Sequence, residues 1–322
     1  MRAMVRAVLA WGLAMLVIGQ AAAQDFPSKP VRILVPFAAS GPADIYARVL
    51  AEHLSQSLKQ TFVVENRPGA GSLIGTGEAA KSAPDGHTLL MMSNTHTANE
   101  SLFQNKPFQL MRDFAPVALI NVSELVLVVH PSVPAKTLKE LIDLAKAQPG
   151  TLNYASSGPG TPYHMAGELF KFMSGTDIVH VPYKGSAGAR NDLVGGHVQM
   201  MIDSLTTMVP MARGGQVRAL ATTGLNRSDV LPDVPTASEA GVPGYESTIW
   251  LGVMTPTGTP MLVIEKLHGA INQVLTRDDI KKAWIEQGAP PSPVSIAAFD
   301  KVLREDIDKW AKVVKAANIK VN

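Results

Sequence analysis

Two segments of the chain combine the residue types that build an anion-binding turn. Pro36-Phe37-Ala38-Ala39-Ser40-Gly41-Pro42-Ala43-Asp44 follows the apolar run Val31-Arg32-Ile33-Leu34-Val35 and opens a segment with helical spacing. Gly41 suits an N-cap. Pro42 suits the first helical position, where its missing N–H is not needed, and Asp44 falls where its carboxylate can reach back to free amides. Ala155-Ser156-Ser157-Gly158-Pro159-Gly160-Thr161-Pro162-Tyr163-His164 repeats the pattern, with Thr161 able to cap and Pro162 again at the first helical position. Gly158 and Gly160 allow the backbone to approach a ligand closely. The chemistry this supports is capture of an anion: unpaired N–H groups and the positive end of a helix both favour negative charge. Two such ends facing across a cleft hold a carboxylate without a dedicated arginine, each dipole contributing ~0.3–1 kcal/mol. Either loop alone also reads as an ordinary strand-to-helix turn; the repetition raises the signal.

Other candidates are weaker. His164, third in its helix, can bond a ligand oxygen or simply cap and pack, and Asp203 and Ser93 each end a strand-like run. Lys184-Gly185-Ser186 also joins a strand to a helix, and a solvated lysine is the default for it. Arg67-Pro68-Gly69-Ala70-Gly71-Ser72-Leu73-Ile74-Gly75 has the look of a dinucleotide loop, but its spacing departs from G-x-G-x-x-G and Leu89 stands where an acid is needed, so a tight turn is expected. No nucleophile elbow, H-E-x-x-H or Walker loop occurs, and the 8 histidines never take a metal-like spacing on one helix. The chain has no cysteine, which removes thiolate zinc sites, thiol catalysis and disulfides. Lys+Arg 29 against Asp+Glu 27 excludes the basic surplus that nucleic-acid binding needs. The expectation is no catalytic residue, no metal and no cofactor.

The elements that position these loops alternate. Strands are expected at 31–35, 62–65 and 88–92, with helices at 43–58 and 73–81 between them. The pattern then restarts: strands at 125–130, 152–155, 178–181, 199–202 and 217–221, helices at 137–147, 162–173, 187–194 and near 207–213. A strand at 248–254 and three helices, 260–275, 278–287 and 296–317, close the chain. Strands alternating with helices imply parallel α/β sheets. The last helices are too long to belong only to the second unit. The simplest topology therefore leaves the first unit near Glu124 and returns near Ile249, which makes a hinge and a cleft between two α/β lobes. At the N-terminus, Arg2 and Arg6, a short apolar core over 7–18 and Ala21-Ala22-Ala23 form the pattern of a cleaved secretory signal peptide spanning 1–23.

Several motifs in one order tie the whole chain after that segment to a known family. They include Val64-Glu65-Asn66-Arg67-Pro68-Gly69-Ala70-Gly71, Ala83-Pro84-Asp85-Gly86, Asp113-Phe114-Ala115-Pro116-Val117, Asn153-Tyr154-Ala155-Ser156-Ser157-Gly158, His180-Val181-Pro182-Tyr183-Lys184-Gly185 and Leu231-Pro232-Asp233-Val234-Pro235-Thr236. The chain resembles the substrate-binding proteins of the tripartite tricarboxylate transporters, the Bug family. The resemblance implies a two-lobed periplasmic binding protein fold, α/β and type II-like, with two crossover strands. The corresponding division is 24–126 plus 250–322 for one lobe and 127–249 for the other. It also implies a periplasmic, non-catalytic role: a monomer that binds a small organic carboxylate and presents it to membrane subunits of a transporter, with no nucleic-acid partner. Carried onto this sequence, the binding loops are Ala38, Ala39, Ser40, Gly41 and Asp44, and Ser156, Ser157, Gly158, Gly160 and Thr161; Ser93, His164 and Asp203 are the further candidates for touching the rest of the ligand. Ser40 departs from the family's usual Gly, which adds a hydroxyl that can bond the ligand or narrow the pocket. A carboxylate sensor docked on a signalling receptor and an exported enzyme are the rival functions.

Overall fold

Val31–Val35 forms strand β1 with side chains entering two different cores. Val31, Ile33 and Val35 join one apolar cluster and Leu34 another on the opposite face. A strand covered on both faces has no need of polar alternation, which is why this run reads as continuously apolar. The computed structural model describes residues 26–319, so the expected signal peptide lies outside the described residues.

Strand β1 runs parallel to β2 (Phe62–Asn66) on one side and β3 (Thr88–Ser93) on the other. Helix α1 (Pro42–Leu58) joins β1 to β2, and α2 (Leu73–Ala80) leads towards β3. Helix α3 (Asn94–Leu102) follows β3 directly, a helix that sequence periodicity does not announce because its buried face is polar. Tertiary bonds satisfy that face: Asn94 Nδ2 donates to the Thr248 carbonyl at 2.9 Å and Asn99 Nδ2 to the Gly71 carbonyl at 2.8 Å. Ser93 caps the helix, with His96 completing a capping box.

After a short α4 (Leu110–Asp113) comes β4, Phe114–Val129. It is much longer than the strand expected at 125–130. Pro116, Asn121, Ser123 and Glu124 interrupt the apolar pattern of its first part, and its register against β9 (Thr248–Pro256) shifts twice, which scrambles the inward–outward alternation. Strand β4 changes partners along its length. Phe114–Glu124 pairs antiparallel with β9; from Leu125 onward it pairs with β7 (Met200–Ser204) and β8 (Arg218–Thr222) instead. Strands β5 (Asn153–Ser156) and β6 (Val179–Pro182) extend this second half parallel to β7. The full order is β2-β1-β3-β9-β4-β7-β5-β6, with β8 on the other side of β4.

Each half is covered on both faces. In the second half Leu125, Leu127 and Val129 enter one cluster while Val126 and Val128 enter another, the period of two expected of a strand. The helices are α5 (Leu138–Ala147), α6 (Pro162–Ser174), α7 (Ser186–Val194) and α8 (Leu205–Arg213). The closing helices return to the first half: α9 (Met261–Leu275) packs on α1, α10 (Asp278–Glu286) brings Trp284 against Tyr46, and α11 (Ile296–Ala316) packs on α3. Among the described residues, no helix is long and apolar enough to cross a membrane.

Candidate functional site

The loop between β1 and α1 is shaped by a carboxylate. Asp44 is buried, accepts the Ser40 amide at 2.9 Å and meets two of the Arg48 nitrogens, Nε at 3.1 Å and Nη2 at 2.9 Å. Burial alone would raise this carboxyl; the bonds from Arg48 and the Ser40 amide outweigh it and hold Asp44 below the usual aspartate range. Ser40 takes a left-handed conformation, φ 64°, which explains why glycine suits this position. Gly41 is the N-cap and Pro42 opens α1, with no side chain capping the helix. The amides of Ala43 and Asp44 in that first turn have no acceptor within the helix.

The loop between β5 and α6 has the same outline and different supports. The Ser156 hydroxyl accepts the Gly158 amide at 3.1 Å and bonds His180 Nε2 at 2.6 Å. The Gly160 amide donates to His164 Nδ1 at 3.1 Å, so that nitrogen carries no proton. The two imidazoles stack at 4.2 Å, and Tyr154 stacks on His180 at 4.8 Å. Burial drives both histidines towards the neutral form, His164 down to about 4 and His180 down to about 3. The Thr161 hydroxyl does not cap α6 as the sequence suggests; it donates to the Gly158 carbonyl at 2.7 Å. The amides of Tyr163 and His164 in the first turn are therefore left without a capping side chain.

Both helix starts open on one cavity of about 290 Å³. Of the residues singled out by the sequence, Ala38, Gly41, Ser93, Ser157, Gly158 and Thr161 line it. The others stand outside its wall. Ala39 and Ser40 are exposed, so the Ser40 hydroxyl neither narrows nor lines the cavity. Asp44, Ser156 and His164 act behind the wall, through the bonds that shape the two loops. Gly160 does not line it: a Cβ there would lie 2.7 Å from Asn99 Oδ1, at φ 74°, so glycine permits close packing against α3. Asp203 is fully buried and pairs with Arg190 at 3.4 Å, while accepting the Ser204 amide at 2.7 Å. Burial pushes its carboxyl up, opposed by the Arg190 guanidinium.

The wall also includes residues that sequence reasoning left out. Pro68 to Ser72, read as a tight turn, follows β2; Tyr183 to Ser186, read as a solvated lysine turn, follows β6. Phe37, Phe103, Ile249 and Leu251 complete much of the apolar surface. The available signal was the rule already applied to the first two loops: ligands bind at the carboxyl ends of parallel strands. It holds for the loops after β2 and β6 as well.

The two halves touch at the rim of the cavity. Arg190 Nη2 donates to the Ser40 carbonyl at 3.1 Å, and Tyr46 Oη bonds Thr206 Oγ1 at 2.9 Å. Gly185 sits so near Ala38 that a Cβ would come within 2.5 Å of the alanine methyl. Among the described residues, no group of three or more His, Asp or Glu side chains can hold a metal ion.

Residues 46–319 match the profile of the family described as tripartite tricarboxylate transporter family receptor. Protein BugT of Bordetella pertussis is 37% identical over 301 residues, 93% of this chain and 92% of that protein. A solved structure described as a periplasmic transporter is 40% identical, covers 92% of this chain and 100% of its own, and superposes with a TM-score of 0.89. A protein from R. palustris solved with adipate is 35% identical over 92% of this chain and 99% of its own, again with a TM-score of 0.89.

Proposed function

We propose a ligand, a site and a route for this chain, which belongs to the tripartite tricarboxylate transporter receptor family and is a solute-binding protein, not an enzyme. The ligand is a small organic carboxylate. One observation carries this: two helices, one from each half of the sheet, begin with proline, lack a capping side chain and open on the same cavity. The amides of Ala43, Asp44, Tyr163 and His164 then supply donors, and the two helix dipoles favour the negative charge. Gly41 and Gly158 keep the wall low enough for the backbone to be reached. The adipate bound by the R. palustris relative is in keeping with a carboxylate here.

The chain divides into lobes at 24–126 plus 250–322 and 127–249. The partner exchange of β4 at Glu124 and Leu125, and the end of the β4–β9 pairing at Thr248, support this division. Closure of the lobes excludes water, and the Arg190–Ser40 bond belongs to the closed form. The protein is exported to the periplasm by the signal peptide at 1–23 and hands its ligand, as a monomer, to membrane subunits of a transporter. N-terminal sequencing of the periplasmic fraction should start at Gln24.

The binding reading is tested by melting the protein with a panel of acids and their amides. A ligand at a hundred times its dissociation constant stabilises by roughly 2.7 kcal/mol. Acids should raise the melting temperature and their neutral amides should not. Shifts by amides or sugars alone would defeat the reading.

A further inference from the structure

Glycine stands at three points where the two halves of the molecule meet beside the cavity. A Cβ added at Gly71, in the loop after β2, would lie 2.6 Å from the Pro159 carbonyl oxygen in the loop after β5. One at Gly160 would lie 2.7 Å from Asn99 Oδ1 on α3, and one at Gly185, after β6, 2.5 Å from the Ala38 methyl, after β1. Each of these approaches joins one half to the other. Left-handed glycines elsewhere in the second half differ: Gly175, Gly215 and Gly244 have nothing within 4 Å of an added Cβ. The close approaches therefore belong to the seam between the halves, not to left-handed turns as such.

The three obstacles have little room to give. Pro159 presents a backbone oxygen, and the Ala38 methyl is fixed to its own backbone. Asn99 is fully buried, and its Nδ2 donates to the Gly71 carbonyl at 2.8 Å and to Ser72 Oγ at 3.3 Å, which holds the amide in place. Asn99 thereby links two of the points, since its nitrogen bonds the Gly71 loop and its oxygen meets Gly160. The Arg190–Ser40 bond lies on the same seam, in the loop that carries Ala38. Gly71 and Gly185 follow β2 and β6, the outermost strands of the order, while the crossing strands β4 and β9 lie at its centre. A rotation about the crossing moves those two glycines furthest.

Ordinary carbon contacts begin at about 3.5 Å. A side chain at one of these points would hold the halves about 1 Å apart there. Hydrogen bonds do not survive such a displacement, so an anion held by the amides of one helix start would lose those of the other. Resting on the carboxylate and closure readings above, we infer that Gly71, Gly160 and Gly185 are positioning residues: they set how far the halves close, and so set affinity through contact between the halves.

Gly160 gives the cleanest test, because it stands off the cavity wall. The chain has no cysteine, so nitroxide labels at Ile74→Cys and Asn191→Cys, exposed positions on opposite halves, report the distance between them by double electron–electron resonance. Adipate, malate, aspartate and benzoate are titrated into the wild type by calorimetry, and the tightest binder is used throughout. That acid should shorten the label distance in the wild type. Gly160→Ala should bind it at least about tenfold more weakly and keep a longer distance at saturation. Gly175→Ala, left-handed but facing open space, should match the wild type in both. Asn99→Ala makes room for the new methyl, so in that background the loss from Gly160→Ala should shrink to about threefold or less. A wild-type distance that ignores the bound acid, unchanged affinity in Gly160→Ala, an equal loss in Gly175→Ala, or an undiminished loss beside Asn99→Ala would overturn the inference while the carboxylate reading stands. Should Gly160→Ala not fold, Gly71→Ala meets the same seam from the first half: a longer distance at saturation supports the inference and a wild-type distance overturns it. If none of the four acids binds the wild type, both readings fall.

Discussion

The loops after β1 and β5 share an outline and differ in what holds them. Both follow a parallel strand, bend through small residues and enter a helix at proline. The first is pinned by an ionised carboxylate, Asp44, bonded to the Ser40 amide and to the half-exposed Arg48. The second is pinned by neutral groups, the stacked His164 and His180 with Ser156, which accept the Gly160 and Gly158 amides inside the protein. The buried Asp44 can stay charged because the half-exposed Arg48 guanidinium and the Ser40 amide compensate it. The second loop has no cation bonded to its acceptors and uses uncharged ones, because an uncompensated buried ion costs more than a buried imidazole.

The most severe way to break this comparison is to remove the residue that ties the first loop to the second half of the sheet. Arg190 pairs with buried Asp203 and reaches the Ser40 carbonyl across the cavity rim. Arg190→Ala leaves Asp203 buried and unpaired and should destabilise the protein by about 3–5 kcal/mol in urea denaturation. A loss under about 1 kcal/mol would mean the pair contributes little.

Glycine substitutions come next, because the two loops should answer differently. At Gly160 the backbone is left-handed and a new Cβ meets Asn99 Oδ1 at 2.7 Å; at Gly41 φ is −88° and the nearest neighbour lies 3.6 Å away. Gly160→Ala should cost about 2 kcal/mol, and Gly41→Ala less than about 0.5 kcal/mol of stability. Equal costs would erase the distinction between a packed turn and an open one.

A change of pH sharpens the contrast. His164 and His180 are held below their ordinary value of 6.5, at about 4 and about 3. Below 6.5 the unfolded chain takes up protons that the folded chain refuses, so their contribution is complete above 6.5 and is lost as pH falls towards the folded values. Asp44 is also depressed, but from 3.8, so its contribution is lost only below that pH. Urea midpoints should therefore fall between about pH 7 and pH 5, and His180→Gln should flatten that fall while Asp44→Asn should not. A slope unchanged by His180→Gln would refute the assignment.

The smallest effect is expected at Ser40, a serine in a conformation that favours glycine. Ser40→Gly relieves strain in the folded chain and adds freedom to the unfolded one, so the net gain should stay under about 1 kcal/mol. Because the side chain is exposed and off the wall, calorimetry should find carboxylate affinity nearly unchanged.

Much of this architecture was legible in short apolar runs. Strands β1, β2, β3 and β7 are recognisable because burial on both faces or one face leaves a local pattern that needs no partner to be seen. The first part of β4 and all of α3 were not, since Pro116 and the register shifts break alternation in one, and polar buried residues replace an apolar stripe in the other. The same limit governs the site. Gly-Pro turns at strand ends are local signals, and they indicated two of the loops around the cavity. Whether a turn residue faces the cavity or supports it from behind depends on segments distant in sequence. Gly160 is packed against α3, and Asp203 is paired with Arg190.

The sequence by itself determined the alternating elements, the two proline-led helix starts and the lack of cysteine chemistry, because each is written in neighbouring residues. Only the tertiary structure decided which amides and hydroxyls remain free. Hydrogen-bond capacity is spent on whichever partner the fold brings within about 3 Å. His180 lies far from Ser156 in the chain, and Asn99 far from Ser72, until the packed sheet and helices set them side by side.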